Sequence, residues 1–338
     1  MKKINILIPD LLKDTLLEKK ILGTNYNVLL KKASEFHRLT DKFLSTIDGV
    51  MAGHHVIFNS KKIKKLINCK VIVRYGVGFD SVDIKQAGHQ NIKVFNIPDY
   101  GVDEVADHAL AMILNLSRFI SGNNEILKKE YQSNKIEWLY DQNKNQKRLK
   151  DLSLGVIGLG RIGTALTQRS KSIFKEILFY DPLIEDGYDK ALGLKKEEKL
   201  TNLFKNSDVI SLHAPSTGEN KFFLEEKLFK SLNKPIIFIN TSRGDLVKNS
   251  VLTKYFKNGK IRGLGLDVFN EEPPKTKDEL TKIWKDKKNI GRILFTPHVA
   301  FYSTEALNEI RLKGVTTIKN FFEKNKLKNC INTKYLKH

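Results

Sequence analysis

Three glycines at a strand-to-helix junction, Gly158, Gly160 and Gly163, constrain this 338-residue chain more than any other feature. They follow the apolar run Leu154–Ile157 with the spacing G-x-G-x-x-G and open a segment with a helical pattern. The spacing alone is weak, but a strand before it and a helix after it are the context that it requires. Gly158 allows a tight turn, Gly160 lets a pyrophosphate approach the backbone, and Gly163 lets the helix pack closely on the strand. The junction therefore predicts a dinucleotide site.

An acidic residue, Asp181, closes the next apolar run, Ile177–Tyr180, where a dinucleotide site holds its adenine-side ribose. Its carboxylate would accept hydrogen bonds from the ribose hydroxyls and would repel a 2′-phosphate, so the sequence favours NAD over NADP. The alternative is a structural glycine turn before a helix in some other α/β protein. The pairing of the glycines with this acid favours the dinucleotide site.

Short β-rich runs alternate with helical segments, which is typical of parallel sheets covered by helices. The length exceeds that of one usual core and indicates two domains. The first set of runs is Ile4–Ile8, Val28–Leu30, Val50–Ala52, Val71–Val73 and Val94–Ile97. The second set is Leu154–Ile157, Ile177–Tyr180, Val209–Leu212, Ile236–Ile239, Leu264–Asp267 and Ile293–Phe295. Helices are predicted over Val102–Ile120 and Ser303–Phe322, and the latter is expected to return to the first domain.

The formal net charge of +21 comes from lysines that are spread along the whole chain. A nucleic-acid reader more often concentrates its charge on one arm or face, and the sequence carries no nucleic-acid-binding motif. The charge is therefore interpreted as compositional bias, and no nucleic-acid partner is expected.

Two cysteines, Cys69 and Cys330, are too few for a disulfide framework and lack the spacing of metal ligands. Both features are typical of a reducing cytoplasm, and no metal is expected. The apolar start at Ile4–Ile8 ends at Pro9-Asp10 without a cleavage site, so it is not interpreted as a signal peptide. No transmembrane span is predicted either, and no membrane partner is expected.

Three candidate catalytic residues, Arg243, Glu272 and His298, each follow an apolar run of the second set. In such sheets the ligand crevice lies at the carboxyl ends of the strands. An arginine offers a planar fork that can hold a carboxylate, and a histidine beside a carboxylate can protonate a carbonyl oxygen as hydride arrives. Taken singly, the three also fit a surface ion pair, a loop acid and a packed core histidine. Together, at consecutive strand ends of a dinucleotide domain, they favour catalysis.

The chain resembles the D-isomer-specific 2-hydroxyacid dehydrogenase family, in the branch with phosphoglycerate dehydrogenases, glyoxylate/hydroxypyruvate reductases and the C-terminal binding protein co-repressors. The resemblance runs from Val71-Ile72-Val73-Arg74-Tyr75-Gly76-Val77-Gly78-Phe79-Asp80 to Thr296-Pro297-His298-Val299-Ala300-Phe301-Tyr302-Ser303. It implies an α/β fold with two Rossmann-like domains, in which a doubly wound NAD-binding domain is inserted into a flavodoxin-like substrate domain. The expected boundaries are 1–101 with 302–338 for the discontinuous substrate domain, and 102–301 for the NAD-binding domain.

The resemblance also assigns site residues. It implies catalysis by Arg243, Glu272 and His298, and it selects Glu272 over its neighbour Glu271. The implied cofactor contacts are Gly158, Gly160, Arg161, Ile162, Gly163, Asp181, His213, Ala214, Pro215, Thr217, Thr241, Ser242, Arg243, Asp267, His298 and Ala300, with Asp267 usually gripping the nicotinamide carboxamide. The implied substrate contacts are Arg74, Tyr75, Gly76, Val77 and Phe301.

Departures from the family pattern concern the substrate. A charged insert, Lys275–Lys288, widens the spacing between Glu272 and His298 and is expected to form a surface excursion. Phe301 resembles the co-repressor branch, where an aromatic residue shapes the pocket. Arg74 is left with three alternatives: a phosphate, a second carboxylate of the substrate, or a backbone carbonyl.

The function that follows is hydride transfer between NAD(H) and a 2-keto acid/D-2-hydroxy acid pair. The alternative is an NAD(H)-sensing, co-repressor-like binding scaffold with slow or vestigial activity. All three catalytic positions are filled, which favours the enzyme. The long helix Val102–Ile120 makes a symmetric homodimer the expected assembly.

Overall fold

The computed structural model describes residues 2–10, 12–53, 55–140, 146–217 and 219–337. The chain divides into two compact units, one formed by Met1–Tyr100 with Ser303–His338 and the other by Gly101–Tyr302. Within the described ranges, no helix combines the length and apolarity that crossing a membrane requires.

The first unit is built on a five-stranded parallel sheet with the order β2-β1-β3-β4-β5. Its strands are β1 Ile4–Asp10, β2 Tyr26–Lys32, β3 Gly49–Ala52, β4 Val71–Arg74 and β5 Lys93–Phe95. Its first helices are α1 Leu16–Leu22, α2 Asp41–Leu44, α3 Ser60–Lys65 and α4 Ile84–His89, with a 3-10 helix over Ala33–Arg38. The order is that of flavodoxin-like sheets.

Burial explains why these strands read as unbroken apolar runs. Every residue of β3 and β4 is buried, because helices cover both faces of the sheet. A parallel sheet covered in this way selects apolar side chains at consecutive positions rather than at alternate ones.

The second unit holds seven parallel strands. They are β6 Ser153–Ile157, β7 Glu176–Tyr180, β8 Lys195–Lys196, β9 Val209–Leu212, β10 Ile236–Asn240, β11 Ile261–Leu266 and β12 Ile293–Phe295. Its helices are α5 Val102–Arg118, α6 Ile120–Gln132, α7 Arg161–Ser170, α8 Tyr188–Leu192, α9 Leu200–Asn206, α10 Glu226–Lys230, α11 Asn249–Lys257 and α12 Glu279–Lys285. Three 3-10 helices cover Leu149–Asp151, Gly244–Leu246 and Lys287–Asn289.

The strand order β12-β11-β10-β9-β6-β7-β8 reverses direction between β6 and β9. Open α/β sheets bind ligands outside the carboxyl ends of their strands at such a switch point. The glycine motif follows β6 directly and therefore lies at that point. The predicted fold class, α/β with two Rossmann-like sheets, is confirmed. The short polar strand β8 has no apolar run and was not predicted.

The helix predicted over Val102–Ile120 ends earlier, at Arg118. Phe119 adopts a left-handed conformation with φ of 55°, and α6 begins at Ile120. The Phe119 ring is buried against Gly122, where an added Cβ would overlap it. Packing of this ring thus ends the helix, although the local pattern continues.

The charged insert Lys275–Lys288 is more than the surface excursion that the sequence predicts. Asp278 caps α12 by accepting from Leu280 N at 2.7 Å. Leu280 and Ile283 lie in the apolar core beside β10 and β11, and Trp284 stacks on Phe295 with ring centroids 5.1 Å apart. The lysines mark only the outer face of this helix.

The last helix, α13 Thr304–Lys324, belongs to the first unit and packs against α1, β3 and β4. Arg311 on α13 forms a two-pronged ion pair with Glu18 on α1, with Nε to Oε1 at 2.8 Å and Nη2 to Oε2 at 2.7 Å. Glu18 is fully buried. Among the described ion pairs, Arg311 is the residue of α13 that neutralises its charge. A final 3-10 helix covers Thr333–Tyr335.

Candidate functional site

The glycine motif turns the chain tightly between β6 and α7. Gly158 has a φ of 90°, and a Cβ there would lie 2.7 Å from the backbone nitrogen of Ala214. A Cβ at Gly163 would overlap the carbonyl oxygen of Gly158. At Gly160, by contrast, no described atom lies within 4 Å of an added Cβ. Gly158 and Gly163 thus allow close backbone packing. Gly160 borders open space at the first turn of α7, where the free N–H groups favour an anion.

Asp181 lies beside this turn and is held by two backbone donors. Its Oδ2 accepts from Leu159 N at 2.8 Å, and its Oδ1 accepts from Leu183 N at 2.9 Å. A carboxylate oxygen can accept two hydrogen bonds, so each still has capacity for a ligand hydroxyl. The residues at this end of β6 and β7 therefore fit the ribose side of a dinucleotide.

His213 follows β9, and its Nε2 lies 2.8 Å from Ser211 Oγ. Burial lowers the pKa of His213 from 6.5 to about 4, so its ring is neutral at physiological pH. The loop that continues through Ala214 and Pro215 is closed by Asn220, which donates to Pro215 O at 2.8 Å and accepts from Thr217 N at 2.9 Å. Asn220 is a loop-closing residue that sequence reasoning missed.

The turn after β10 is organised by the buried Asn240. Its Oδ1 accepts from Ser242 N and Oγ, both at 3.0 Å, and its Nδ2 donates to Arg243 O at 2.9 Å. Thr241 Oγ1 is buried and has no hydrogen-bond partner among the described residues. A buried hydroxyl in that state fits a polar group of a ligand. Asn240 was not predicted as a site residue, because a single Asn at a strand end has no distinctive pattern.

Arg243 presents its guanidinium group from this turn, with Nη1 donating to Ser242 O at 2.7 Å. Its positive charge is one of the influences that lower the pKa of Glu272. The arginine and the glutamate, predicted separately from two strand ends, are thus electrostatically coupled.

Glu272 and His298 form an ion-pair contact, with His298 Nδ1 at 2.7 Å from Glu272 Oε2. The side chains are 35% and 24% exposed, so the pair is shielded but accessible. Burial raises the pKa of Glu272, but the hydrogen bond and charge of His298, the Phe269 N–H and Arg243 outweigh it and leave the pKa lowered. The carboxylate is therefore ionised at neutral pH and lies at hydrogen-bond distance from the imidazole.

The neighbouring acid, Glu271, points elsewhere. Its side chain is 60% exposed and pairs with Lys275, four residues along the sequence, at 2.9 Å. Of the two adjacent acids, only Glu272 therefore contacts His298.

Asp267 is buried at the end of β11 and holds the loop that carries His298. Its Oδ1 accepts from Thr296 Oγ1 at 2.6 Å and from Val299 N at 2.9 Å, and its Oδ2 accepts from Ala300 N at 3.0 Å. Oδ2 therefore retains one acceptor position for a ligand amide. His298 itself has a φ of 54°, a left-handed conformation that is costly for a residue with a side chain.

Asn270 ties the loops after β10 and β11 together. Its Nδ2 donates to Gly244 O and to Val247 O, the latter at 2.9 Å, and its Oδ1 accepts from Asn249 N at 2.9 Å. A Cβ at Gly244 would overlap the backbone of Phe269, so the two loops are in direct contact. Asn270 was also missed, because its partners are backbone groups that leave no mark in the sequence.

The remaining predicted residues are divided between the units. Arg161 and Ile162 begin α7, and the ring of Phe301 packs edge-on to His298 with centroids 6.5 Å apart. Arg74 ends β4 in the first unit, and Tyr75, Gly76 and Val77 follow it directly.

The Arg74 side chain is buried and its Nη1 donates to Tyr75 O, which is the backbone-carbonyl alternative among the three considered. Gly76 has a φ of 144°, and a Cβ there would overlap Arg74 Nη1. The Tyr75 side chain is buried, with its hydroxyl 3.8 Å from Met51 Sδ, so its backbone is the part available to a ligand.

Comparison with known proteins gives consistent matches. Residues 110–300 match the family model of the D-isomer specific 2-hydroxyacid dehydrogenase, NAD binding domain. The chain is 33% identical over 249 residues, 72% of its length, to a D-3-phosphoglycerate dehydrogenase of Methanocaldococcus jannaschii. It is 26% identical over 325 residues, 95% of its length, to C-terminal-binding protein 1 of Caenorhabditis elegans. The chain spans 44% of the length of each of these curated relatives.

Among solved structures, the chain is similar to a D-lactate dehydrogenase from Aquifex aeolicus that was crystallised with NAD and lactic acid. The TM-score is 0.84 at 25% identity, and the match covers 98% of this chain and 97% of that one. The likeness thus extends over both units.

Proposed function

This chain belongs to the D-isomer specific 2-hydroxyacid dehydrogenase family, and on that premise we propose that it transfers a hydride between NAD(H) and a 2-keto acid/D-2-hydroxy acid pair. The observation that carries the proposal is the 2.7 Å contact between His298 and Glu272, with the Arg243 charge beside it. The three groups supply the charge and the proton that reduction of a keto acid requires.

NAD is the cofactor that the second unit suits. Gly158, Gly160 and Gly163 leave room for a pyrophosphate at α7, and Asp181 can accept from ribose hydroxyls. Pro182 and Leu183 follow this acid and offer no positive charge to a 2′-phosphate. Thr241 Oγ1 and Asp267 Oδ2 retain capacity for polar contacts. When bound, the nicotinamide supplies or accepts the hydride.

His298 is the proton donor in reduction and the acceptor in oxidation. Since Nδ1 is engaged by Glu272, Nε2 is the ring atom that exchanges a proton with the substrate oxygen. The ionised carboxylate of Glu272 holds the ring through Nδ1 and leaves Nε2 for the substrate. Arg243 holds the substrate carboxylate with its planar fork.

The roles of the first-unit residues Arg74, Tyr75, Gly76 and Val77 in substrate binding are likewise proposed, as is that of Phe301. The domain assignment goes with them: substrate domain for 1–101 with 302–338, and NAD-binding domain for 102–301. For Arg74, its hydrogen bond to Tyr75 O supports a role in shaping the loop rather than in binding a second charged group of the substrate.

The test is an NADH-oxidation screen across glyoxylate, hydroxypyruvate, pyruvate, phosphohydroxypyruvate and branched 2-keto acids. Arg243→Lys keeps the charge but loses the fork, so kcat/KM on the best substrate should fall by ~10²-fold or more. NADH affinity should change much less. Arg38→Lys, on the exposed 3-10 helix of the first unit, is the matched control and should behave as the unmodified protein.

Three results would contradict the proposal. Near-normal turnover in the Arg243 variant would remove that residue from the mechanism. A higher kcat/KM with NADPH than with NADH would overturn the role of Asp181. If NADH is preferred, Asp181→Ala should reduce the ratio of the two kcat/KM values. NADH binding without turnover of any keto acid would favour the binding-scaffold alternative.

We also propose that two copies of the chain form a homodimer in the cytoplasm. The apolar side chains of α5 are buried within its own unit, whereas several large ones are exposed at the end of α6 and beyond it. Trp138 is 72% exposed and Tyr140 is 97% exposed, which supports a contact surface there. The buried Cys69, whose pKa is raised to about 12 by burial, and Cys330 are free thiols, as in a reducing compartment.

A further inference from the structure

A histidine on α5 contacts the network that holds His298. His108 lies on α5, and its Nε2 is 3.0 Å from Thr296 Oγ1. The Thr296 hydroxyl in turn donates to Asp267 Oδ1 at 2.6 Å. His108 Nε2 is 4.0 Å from the same carboxylate oxygen, so its contact with Asp267 passes through the threonine.

The direction of these hydrogen bonds depends on a single proton. The Thr296 hydroxyl has one hydrogen, which can point to Asp267 or to His108 but not to both. When His108 carries its proton on Nε2, it donates to Thr296 and the threonine hydrogen is committed to Asp267. Without that donor, the threonine hydrogen could turn to the ring, and the buried carboxylate would lose one of its three donors.

The other two donors to Asp267 are the backbone N–H groups of Val299 and Ala300. These residues directly follow His298, whose left-handed backbone is held in addition by its own N–H donated to Asp267 O at 2.8 Å. A strained residue of this kind persists only when its surroundings specify it fully. The orientation of the Asp267 carboxylate therefore determines how firmly the His298 loop is held.

We propose that His108 is a positioning residue for His298, acting through the Thr296 hydroxyl and the Asp267 carboxylate. Its catalytic consequence rests on the proposed function, but its structural consequence does not. His108 donates to Thr296, Thr296 donates to Asp267, and Asp267 fixes the two amides that follow the acid/base residue.

A double-mutant cycle tests the coupling. His108→Leu removes the donor at similar size, and kcat/KM for keto-acid reduction should fall by about tenfold, in kcat more than in KM, as expected for one lost hydrogen bond. Thr296→Val should cost about as much, and adding His108→Leu to it should cost less than about twofold more. His108→Gln places an amide donor near the Nε2 position and should restore most of the activity. His89→Leu, on the exposed face of α4, is the matched control.

Amide hydrogen exchange gives a readout that needs no substrate. Exchange at Val299 and Ala300 should be about five- to tenfold faster in His108→Leu and Thr296→Val, and near the unmodified rate in His108→Gln. Additive losses of activity in the cycle, or unchanged exchange in both variants, would overturn the proposal. If the unmodified protein reduces no keto acid while exchange responds as expected, the proposed function fails and the positioning role stands.

Discussion

The two oxygens of Glu272 have separate tasks. Oε2 contacts His298 at 2.7 Å, while Oε1 accepts from Phe269 N at 3.0 Å. The backbone contact fixes the carboxylate plane, so the group that tunes the histidine is itself held in place. The lowered pKa of Glu272 keeps its charge throughout the pH range in which an imidazole titrates.

Replacing Glu272 or Glu271 by glutamine distinguishes the roles of these two neighbouring residues. Under the proposed mechanism, reduction requires a protonated His298, so activity should fall toward alkaline pH. Glu272→Gln removes the charge that favours the imidazolium, and the alkaline limb of kcat/KM should move to lower pH with slower turnover. Glu271→Gln changes an exposed pair with Lys275 and should leave both nearly unchanged.

Parallel pH–rate profiles of the two variants decide the matter. A shift in the Glu271 variant alone would transfer the role to that residue. The absence of any shift in either variant would end the proposed carboxylate–histidine couple.

At the scale of elements, the site is made by three loops that follow β10, β11 and β12. Polar side chains join them: Asn240 shapes the first, Asn270 joins the first to the second, and Asp267 joins the second to the third. Because the carboxyl ends of parallel strands share one edge of the sheet, short loops from neighbouring strands meet there.

The join made by Asn270 should be measurable. Asn270→Asp replaces its Nδ2 donor by an oxygen facing the carbonyls of Gly244 and Val247, so the free energy of unfolding should fall by ~1–3 kcal/mol. We also expect kcat/KM to fall, since Gly244 adjoins Arg243. Urea denaturation and steady-state kinetics give the two quantities.

Asn258→Asp is the control for that substitution. Asn258 is exposed and uses its Oδ1 to accept from Lys260 N, a task that a carboxylate also performs. Its variant should lie within ~0.5 kcal/mol of the unmodified protein. Equal stabilities for the two variants would show that Asn270 does not join the loops.

The sequence predicts the fold class and the strands well for a physical reason. Strands buried on both faces read as unbroken apolar runs, and the glycine spacing depends on local backbone geometry. The helix end at Phe119 depends on a ring packed against Gly122, which no local pattern records. Asn270 and His108 act on backbone groups or through an intermediate hydroxyl, and such contacts become visible only when distant segments are brought together.

At the scale of the whole molecule, the exposed apolar side chains near Trp138 bear on assembly. Tyr131, Ile136, Trp138, Leu139 and Tyr140 all expose large apolar surface within ten residues of sequence. A chain with a net charge of +21 repels its own copies at long range, so association requires a short-range apolar contact of this kind.

Trp138→Glu should weaken the proposed dimer by ~30-fold or more, because buried tryptophans dominate interfaces. Light scattering after size exclusion, at micromolar protein and 0.15 M salt, should give twice the 38.7 kDa chain mass for the unmodified protein and the chain mass for the variant. Ile67→Glu, at an equally exposed position of the first unit, should remain dimeric. A monomeric unmodified protein would contradict the homodimer, and a dimeric Trp138 variant would exclude this surface.

The ion pair between Glu18 and Arg311 has a consequence for the newborn chain. Arg311 on α13 lies 293 residues after Glu18 and therefore leaves the ribosome much later. Until then the first sheet lacks its closing helix, and a carboxylate that becomes fully buried must stay in water. The second unit, Gly101–Tyr302, is continuous in sequence and can complete its core first. The second unit is therefore expected to fold before the first, which is completed only when α13 has been synthesised.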